Sequence, residues 1–381
     1  MNILYTFDDL FAEVAGISIL SLFENNKDAD EINVYAICDD VSDVNKQRLI
    51  GISESYERKI IFLDAPDVEK IASTAIATTE YWTLAAFYRL LISSILPTDM
   101  TKIIYIDSDT TVQSSLSGLW EMARGGSVIS GVRTEHFSWP WYNTYVRRVF
   151  LKRKDIYINS GVMLINLASW RLYDVEEKFI KFIRLMEGKI PAVDQDVLNS
   201  VLKGYIGTVD PAYNFYHMSI SEKDVHPKDK KRVREITQNN NPVIVHHLII
   251  RRKIDKAESG WDNPRISYFR DDWYKWREMS PWKGLPLDHL RAASKKPAPP
   301  PIKIKRKTIR SSILRFTERK FKPAYNLLNN LGICYAAFSR SMGKLFDEAV
   351  IEPARIRKYN KHRQKVTGIN IKDCRISKRR T

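Results

Sequence analysis

The chain has 381 residues, with 61 Lys and Arg against 45 Asp and Glu for a formal net charge of +16, and 44% hydrophobic and 28% charged residues. This composition fits a globular protein in water and excludes collagen-like, disordered and many-spanning membrane chains. The charge is unevenly divided: residues 291 to 381 hold 25 basic and 5 acidic side chains, whereas residues 1 to 290 hold 36 and 40. A slightly acidic body with a basic tail argues against a uniformly basic nucleic-acid binder, and no nucleic-acid partner is expected.

The chain opens Met1-Asn2-Ile3-Leu4-Tyr5-Thr6-Phe7-Asp8-Asp9. It lacks the cationic start and long apolar core of a signal peptide, and Asn2 to Thr6 reads as a buried strand. A helical stripe follows over Glu13 to Phe23, then strands over Ile32 to Cys38 and Lys59 to Leu63, separated by an amphipathic helix over Val44 to Tyr56. A helix is predicted over Leu84 to Leu96, closed by Pro97, and a fourth strand over Lys102 to Ile106. Such alternation predicts an α/β fold with a mostly parallel, Rossmann-like sheet flanked by helices, which binds ligands beyond the carboxyl ends of its strands.

Further on, Ser127 to Val132, Gly161 to Leu167 and Val243 to His247 read as strands, and Trp170 to Met186 and Asp194 to Leu202 as helices. The aromatic stretch Ser138 to Phe150 suits a lid or an acceptor loop, with Glu135 and Trp139 to Tyr145 as candidate acceptor residues. Cys38, Cys334 and Cys374 lie far apart with no CxxC, which favours reduced thiols over a zinc site or a disulfide scaffold. No apolar run approaches the roughly 18 residues of a membrane span, so a cytoplasmic protein is expected. The body is placed at 1–288, a Pro/Lys-rich linker at 289–308 and a basic helical tail at 309–381.

Three Asp-x-Asp triplets occur: Asp28 to Asp30, Asp107 to Asp109 and Asp194 to Asp196. Only Asp107-Ser108-Asp109 follows an apolar strand, where two carboxylates can converge on a hard divalent cation such as Mg²⁺ or Mn²⁺. Asp8 at the first strand end suits either a base N–H or the cap of the next helix. Arg89 can turn a guanidinium toward the cleft. In Asn159-Ser160-Gly161 a planar amide stands beside a glycine that permits close backbone approach, as recognition of a hydroxyl-rich ring requires.

Five stretches in fixed order resemble the family 8 glycosyltransferases, retaining enzymes with a GT-A fold, over about residues 1 to 285. They are the strand into Asp8-Asp9, Phe87-Tyr88-Arg89-Leu90, Tyr105 to Thr110, Tyr157 to Arg171, and Asp194 to Asn199 followed by Tyr213-Asn214-Phe215. The resemblance implies a UDP-sugar donor, UDP-galactose or UDP-glucose, and a saccharide or glycolipid acceptor, with Thr6, Asp8, Asp9, Arg89, Asp107, Asn159, Ser160, Gly161 and Lys253 binding substrate. It also implies Mn²⁺ or Mg²⁺ on Asp107, Asp109 and a histidine, and Asp194 and Gln195 nearest the anomeric carbon as catalytic residues. The family's later His, Gly and Lys at spacing +3 and +6 are degraded, since Ile250 or Ile249 replaces the glycine. The register that keeps the lysine pairs His247 with Lys253. Leu10 stands where the family often has Asn.

A departing UDP develops charge that a cation neutralises without a proton. Because Gln195 is a poor nucleophile, front-face attack by the acceptor hydroxyl is expected rather than a covalent intermediate. A catalytically weak sugar-nucleotide-binding module is the alternative. The tail, with cationic residues flanking helical stripes, is expected to hold the protein on an anionic membrane surface, peripheral on the inner face of the cytoplasmic membrane.

Overall fold

The computed structural model describes residues 1–66, 85–122, 125–134, 146–152, 154–187, 190–216, 225–247, 267–286 and 352–376. The first half runs β1 (Asn2–Asp8), a 3-10 turn (Asp9–Phe11), α1 (Ala12–Glu24), β2 (Asn33–Asp39), α2 (Asp43–Ser55), β3 (Lys59–Asp64), α3 (Ala85–Tyr88), β4 (Lys102–Ile106), β5 (Thr110–Val112), α4 (Ser117–Trp120) and β6 (Ile129–Arg133). It continues with β7 (Ile158–Asn166), α5 (Leu167–Leu172), α6 (Val175–Leu185), α7 (Val193–Val201), β8 (Ile206–Thr208), a 3-10 turn (Pro211–Asn214), α8 (Lys230–Asn239), β9 (Ile244–His246), α9 (Ser267–Glu278) and α10 (Glu352–Thr367).

Seven strands form one sheet in the order β3-β2-β1-β4-β7-β6-β8, and β5 pairs with β9 in a separate ribbon. The sheet is mostly parallel, as predicted; β7 runs antiparallel to both β4 and β6. That reversal sets the start of β7 beside the carboxyl end of β4, with Asp107 N–H donating to Gly161 O at 2.7 Å.

Successive side chains on a strand point to opposite faces, and both faces are covered. Ile3, Tyr5, Phe7, Ile104 and Ile106 join α1 and the indoles of Trp273, Trp276 and Trp282. Leu4, Ile103 and Tyr105 face the other core, with Phe87, Trp170, Phe179 and Phe182. Each fully buried side chain of this size contributes about 1.5–3 kcal/mol. Residues 267–286 are fastened to α1 by Arg277, whose Nε donates to Glu13 Oε1 at 2.6 Å, and by the Trp282 ring, which fills the space where Gly16 would otherwise carry a Cβ.

Two helices differ from expectation. Of the predicted helix Leu84 to Leu96, the described residues hold only the turn α3: Leu90 and Leu91 N–H already bond back three residues, to Phe87 O and Tyr88 O, and Ser93 N–H and Oγ donate out of the segment to Glu176 Oε1, at 2.6 and 2.7 Å. Trp170 to Met186 is broken into α5 and α6 at Asp174, which takes a left-handed conformation with φ 48°. The linker, the stripes between residues 309 and 345, the acceptor-loop candidates Glu135 and Trp139 to Tyr145, and Lys253 lie outside the described residues.

Part of the basic tail is packed on the body. Helix α10 lies against α6, burying Ile356, Asn360 and Arg363, and Cys374 and Ile376 join the core shared by α5, α6 and α7. Asn360 Nδ2 donates to Arg147 O at 2.9 Å, and Arg375 Nε to Ser200 O at 3.3 Å. No helix among the described residues is long and apolar enough to cross a membrane.

Candidate active site

The site forms where β1 and β4 end, β7 begins and α7 starts. At the end of β4, Asp107 divides its two oxygens. Oδ1 accepts from Tyr105 OH at 2.7 Å and pairs with Arg89 Nη2 at 2.8 Å. Oδ2 lies 3.8 Å from His246 Nε2, which is 3.2 Å from Asp109 Oδ1. One ligand atom from each of Asp107, Asp109 and His246 lies within 4.8 Å of the others. Burial works against a charged His246, but Asp109 and Asp107 outweigh it and raise the imidazole pKa.

His246, not the expected His247, stands with the acids. Thr110 and His246 are paired across the β5/β9 ribbon, so the next residue turns to the other side. The Thr111 hydroxyl donates to Asp272 Oδ2 at 2.6 Å and lies 2.9 Å from His247 Nε2. With its one hydrogen committed to Asp272, that hydroxyl accepts from His247 Nε2–H, so His247 Nε2 has no lone pair for a cation.

The donor set suits a divalent cation: two hard carboxylates and an imidazole. The space between them depends on Gly161, where a Cβ would come within 2.6 Å of His246 Cε1 and 2.8 Å of Asp107 Oδ2.

Facing this cluster is a buried charge bridge. Arg89 Nε lies 3.4 Å from Asp194 Oδ2, Nη1 donates to Ser160 O at 3.2 Å, and the guanidinium stacks 4.4 Å from the Tyr105 ring centroid. Burial opposes the Arg89 charge, and the two aspartates more than restore it. Asp194, 2% exposed, also accepts from Ser160 Oγ at 2.9 Å; burial raises its carboxyl above the usual range despite Arg89.

Gln195 is oriented at both ends. Ser160 N–H donates to its Oε1 at 3.2 Å, and its Nε2 donates to Tyr157 OH at 3.2 Å. Tyr157 donates in turn to Asp196 Oδ1 at 2.7 Å, and Asn199 ties α7 to β7 through both Ile158 backbone groups. Immediately before this pair, Val193 has φ 44°, a costly backbone for a β-branched residue and a kind of strain that concentrates at functional sites.

The remaining expected residues hold the site's frame. Thr6 Oγ1 is 3.1 Å from Tyr105 OH, and Thr6 O accepts from Ser108 Oγ at 3.2 Å. Asp8 caps the 3-10 turn through Phe11 N–H. Asp9 Oδ1 takes three donors, Ser42 N–H, Ser42 Oγ and Asn45 Nδ2, and so fixes the start of α2. Asn159 Oδ1 accepts from Gly161 N–H at 2.8 Å and from Asn214 Nδ2 at 2.7 Å. Tyr157 and Asn214 stand in stretches visible in the sequence, but their roles emerge only from how β7, α7 and the turn before β9 meet.

A mixed, mostly parallel sheet with a paired-acid strand end and an opposing acid-amide helix start defines a GT-A glycosyltransferase fold. The galactosyltransferase LgtC, solved in complex with donor and acceptor sugar analogues, shares it with a TM-score of 0.60, covering 77% of this chain and 100% of that one at 19% identity. The model of glycosyl transferase family 8 matches residues 2–251, and the chain belongs to that family. A putative glycosyltransferase of Haemophilus influenzae is 28% identical over 56% of this chain, which spans 63% of that relative's length. The lipopolysaccharide 1,2-glucosyltransferase of Escherichia coli K12 is 25% identical over 74% of this chain and 79% of its own length. The lipopolysaccharide 1,3-galactosyltransferase of Salmonella typhimurium is 27% identical over 61% of this chain and 69% of its own.

Proposed function

We propose that the protein is a retaining hexosyltransferase that moves galactose or glucose from a UDP-sugar to a saccharide or glycolipid acceptor, in lipopolysaccharide or another cell-surface glycan. The observation that carries this reading is the convergence of Asp107, Asp109 and His246 on the space that Gly161 keeps open. The names of the Escherichia and Salmonella relatives support a hexose and a lipopolysaccharide-type acceptor.

Asp107, Asp109 and His246 would hold Mn²⁺ or Mg²⁺, which when bound supplies charge neutralisation to a departing diphosphate. On the opposite wall Asp194 is engaged by Arg89 and Ser160, which leaves it suited to fix sugar hydroxyls rather than to attack carbon. The Gln195 amide is a poor nucleophile, and no free carboxylate stands beside it among the described residues. Both features favour attack by the acceptor hydroxyl from the face the leaving group departs, with the diphosphate taking the proton.

UDP release from UDP-galactose or UDP-glucose in the presence of Mn²⁺ tests this reading. Turnover by the wild type and its loss in Asp109→Asn support it; UDP binding without turnover by the wild type points to the sugar-nucleotide-binding module that the missing glycine after His246 and His247 favours. A covalent glycosyl-enzyme trapped by mass spectrometry would overturn front-face attack.

The tail supplies the location in this proposal. On α10, Arg357, Lys358, Lys361, His362 and Lys365 are exposed while Ile356, Asn360 and Arg363 face the body. A Lys or Arg near anionic lipid contributes about 1 kcal/mol, enough for Arg357, Lys358, Lys361 and Lys365 together to hold the enzyme at an inner-leaflet surface. Co-sedimentation of the full chain with phosphatidylglycerol vesicles, lost when the α10 lysines are changed to Glu, is the expected result; equal sedimentation of both proteins sinks the idea.

A further inference from the structure

Three side chains form a relay whose polarity is set by one backbone group. Gly161 N–H can only donate, so the Asn159 atom 2.8 Å from it is an oxygen. That same oxygen therefore accepts, at 2.7 Å, from the Nδ2 of Asn214. The other end of the Asn214 amide is then its Oδ1, which lies 2.9 Å from His246 Nδ1. An acceptor there requires a proton on Nδ1, and a neutral imidazole carries only one. Nε2 is thus left with its lone pair, and it is the nitrogen facing Asp109 and Asp107. Asn214 is 1% exposed, so water does not compete for either end of its amide.

We propose that Asn214, polarised by Asn159, is a positioning residue that holds His246 as the Nδ1–H tautomer with Nε2 presented to a divalent cation. The inference rests on the reading of Asp107, Asp109 and His246 as a cation site. It gives the Asn159 oxygen two donors, Gly161 N–H and Asn214 Nδ2, which together fix the direction of the relay. It also explains why adjacent histidines behave differently, since His247 is held by Thr111 with its proton on Nε2. Groups that orient a ligating histidine typically change metal affinity about 10- to 100-fold when removed.

The test uses the full chain with Mn²⁺ alone. Imidazole ¹⁵N spectra of the metal-free wild type, with the His246 signal assigned by its absence in His246→Gln, should show the Nδ1–H form at a pH where the ring is neutral. Mn²⁺ affinity should fall about 10- to 100-fold in Asn214→Leu and in Asn159→Leu, and be kept in Asn159→Asp, which retains the accepting oxygen. An Nε2–H form in the wild type overturns the proposal whether or not any variant folds, as does wild-type affinity in a folded Asn214→Leu. Failure of the wild type to bind Mn²⁺ while showing the Nδ1–H form removes the cation reading and leaves the orienting role intact.

Discussion

Arg89 Nη2 sits 2.8 Å from Asp107 Oδ1, on the carboxylate oxygen that is not the one facing His246. The guanidinium thus aims one acid at the cation space while its Nε reaches Asp194 on the other wall. Removing one partner of a buried charge group costs about 3–5 kcal/mol, because the remaining charges lose compensation. Arg89→Ala should show that loss in chemical denaturation, together with weaker Mn²⁺ binding. A variant with wild-type stability would mean that Asp107 and Asp194 do not depend on the bridge.

Gly161→Ala separates space from charge. The new methyl would meet His246 Cε1 and Asp107 Oδ2 without altering any titratable group. Mn²⁺ affinity measured calorimetrically should drop at least about tenfold, the scale of lesions that displace a ligating histidine. Unchanged affinity would place the cation elsewhere.

Burial raises the Asp194 carboxyl. Folding then favours the protonated acid, so its contribution to stability is fully present below the unfolded value of about 3.9 and declines as pH rises through the higher folded value. Asp194→Asn lacks that decline, so although it loses a charged partner of Arg89 at every pH, the stability gap between it and the wild type should narrow as pH rises above about 4. Its kcat/KM should nevertheless fall at least about tenfold, since a charged hydrogen bond is worth ~1.5–3 kcal/mol. Parallel melting curves across that range decide the matter.

Tyr157→Phe removes the hydroxyl between Gln195 and Asp196. The stability cost should be about 1 kcal/mol. A larger effect on kcat than on KM is expected, because the Gln195 amide loses one of its two anchors; equal kinetics for both proteins would show that Ser160 N–H alone suffices.

The frame of the fold is legible in the sequence where burial writes an uninterrupted signal. Strands β1 to β4 are continuous apolar runs, and each ends within a residue or two of where the pattern stops. What escapes detection depends on partners remote in sequence. Ser93 finds the acceptor for its N–H in Glu176, 83 positions away, and no local propensity records that. The choice between His246 and His247 is one of strand register, where a single-residue step reverses which side a ring faces. The two histidines are chemically identical in the sequence and become distinct only when Thr110 pairs with His246. Asn214 stands beside an aromatic residue in a turn, so its link to His246 appears only once β7 and β9 come together.

The packing of Cys374, Arg375 and Ile376 beneath α7 has a consequence for how the protein is made. Arg375 meets Ser200 across 175 positions, and the apolar layer under the Asp194-Gln195 helix is incomplete until those residues arrive. At a synthesis rate of about 5–20 residues per second, the nascent enzyme waits roughly 10 to 35 s with that layer open to chaperones and proteases. A chain cut short between the two positions would therefore have its strand-end acids in place and the floor beneath α7 missing.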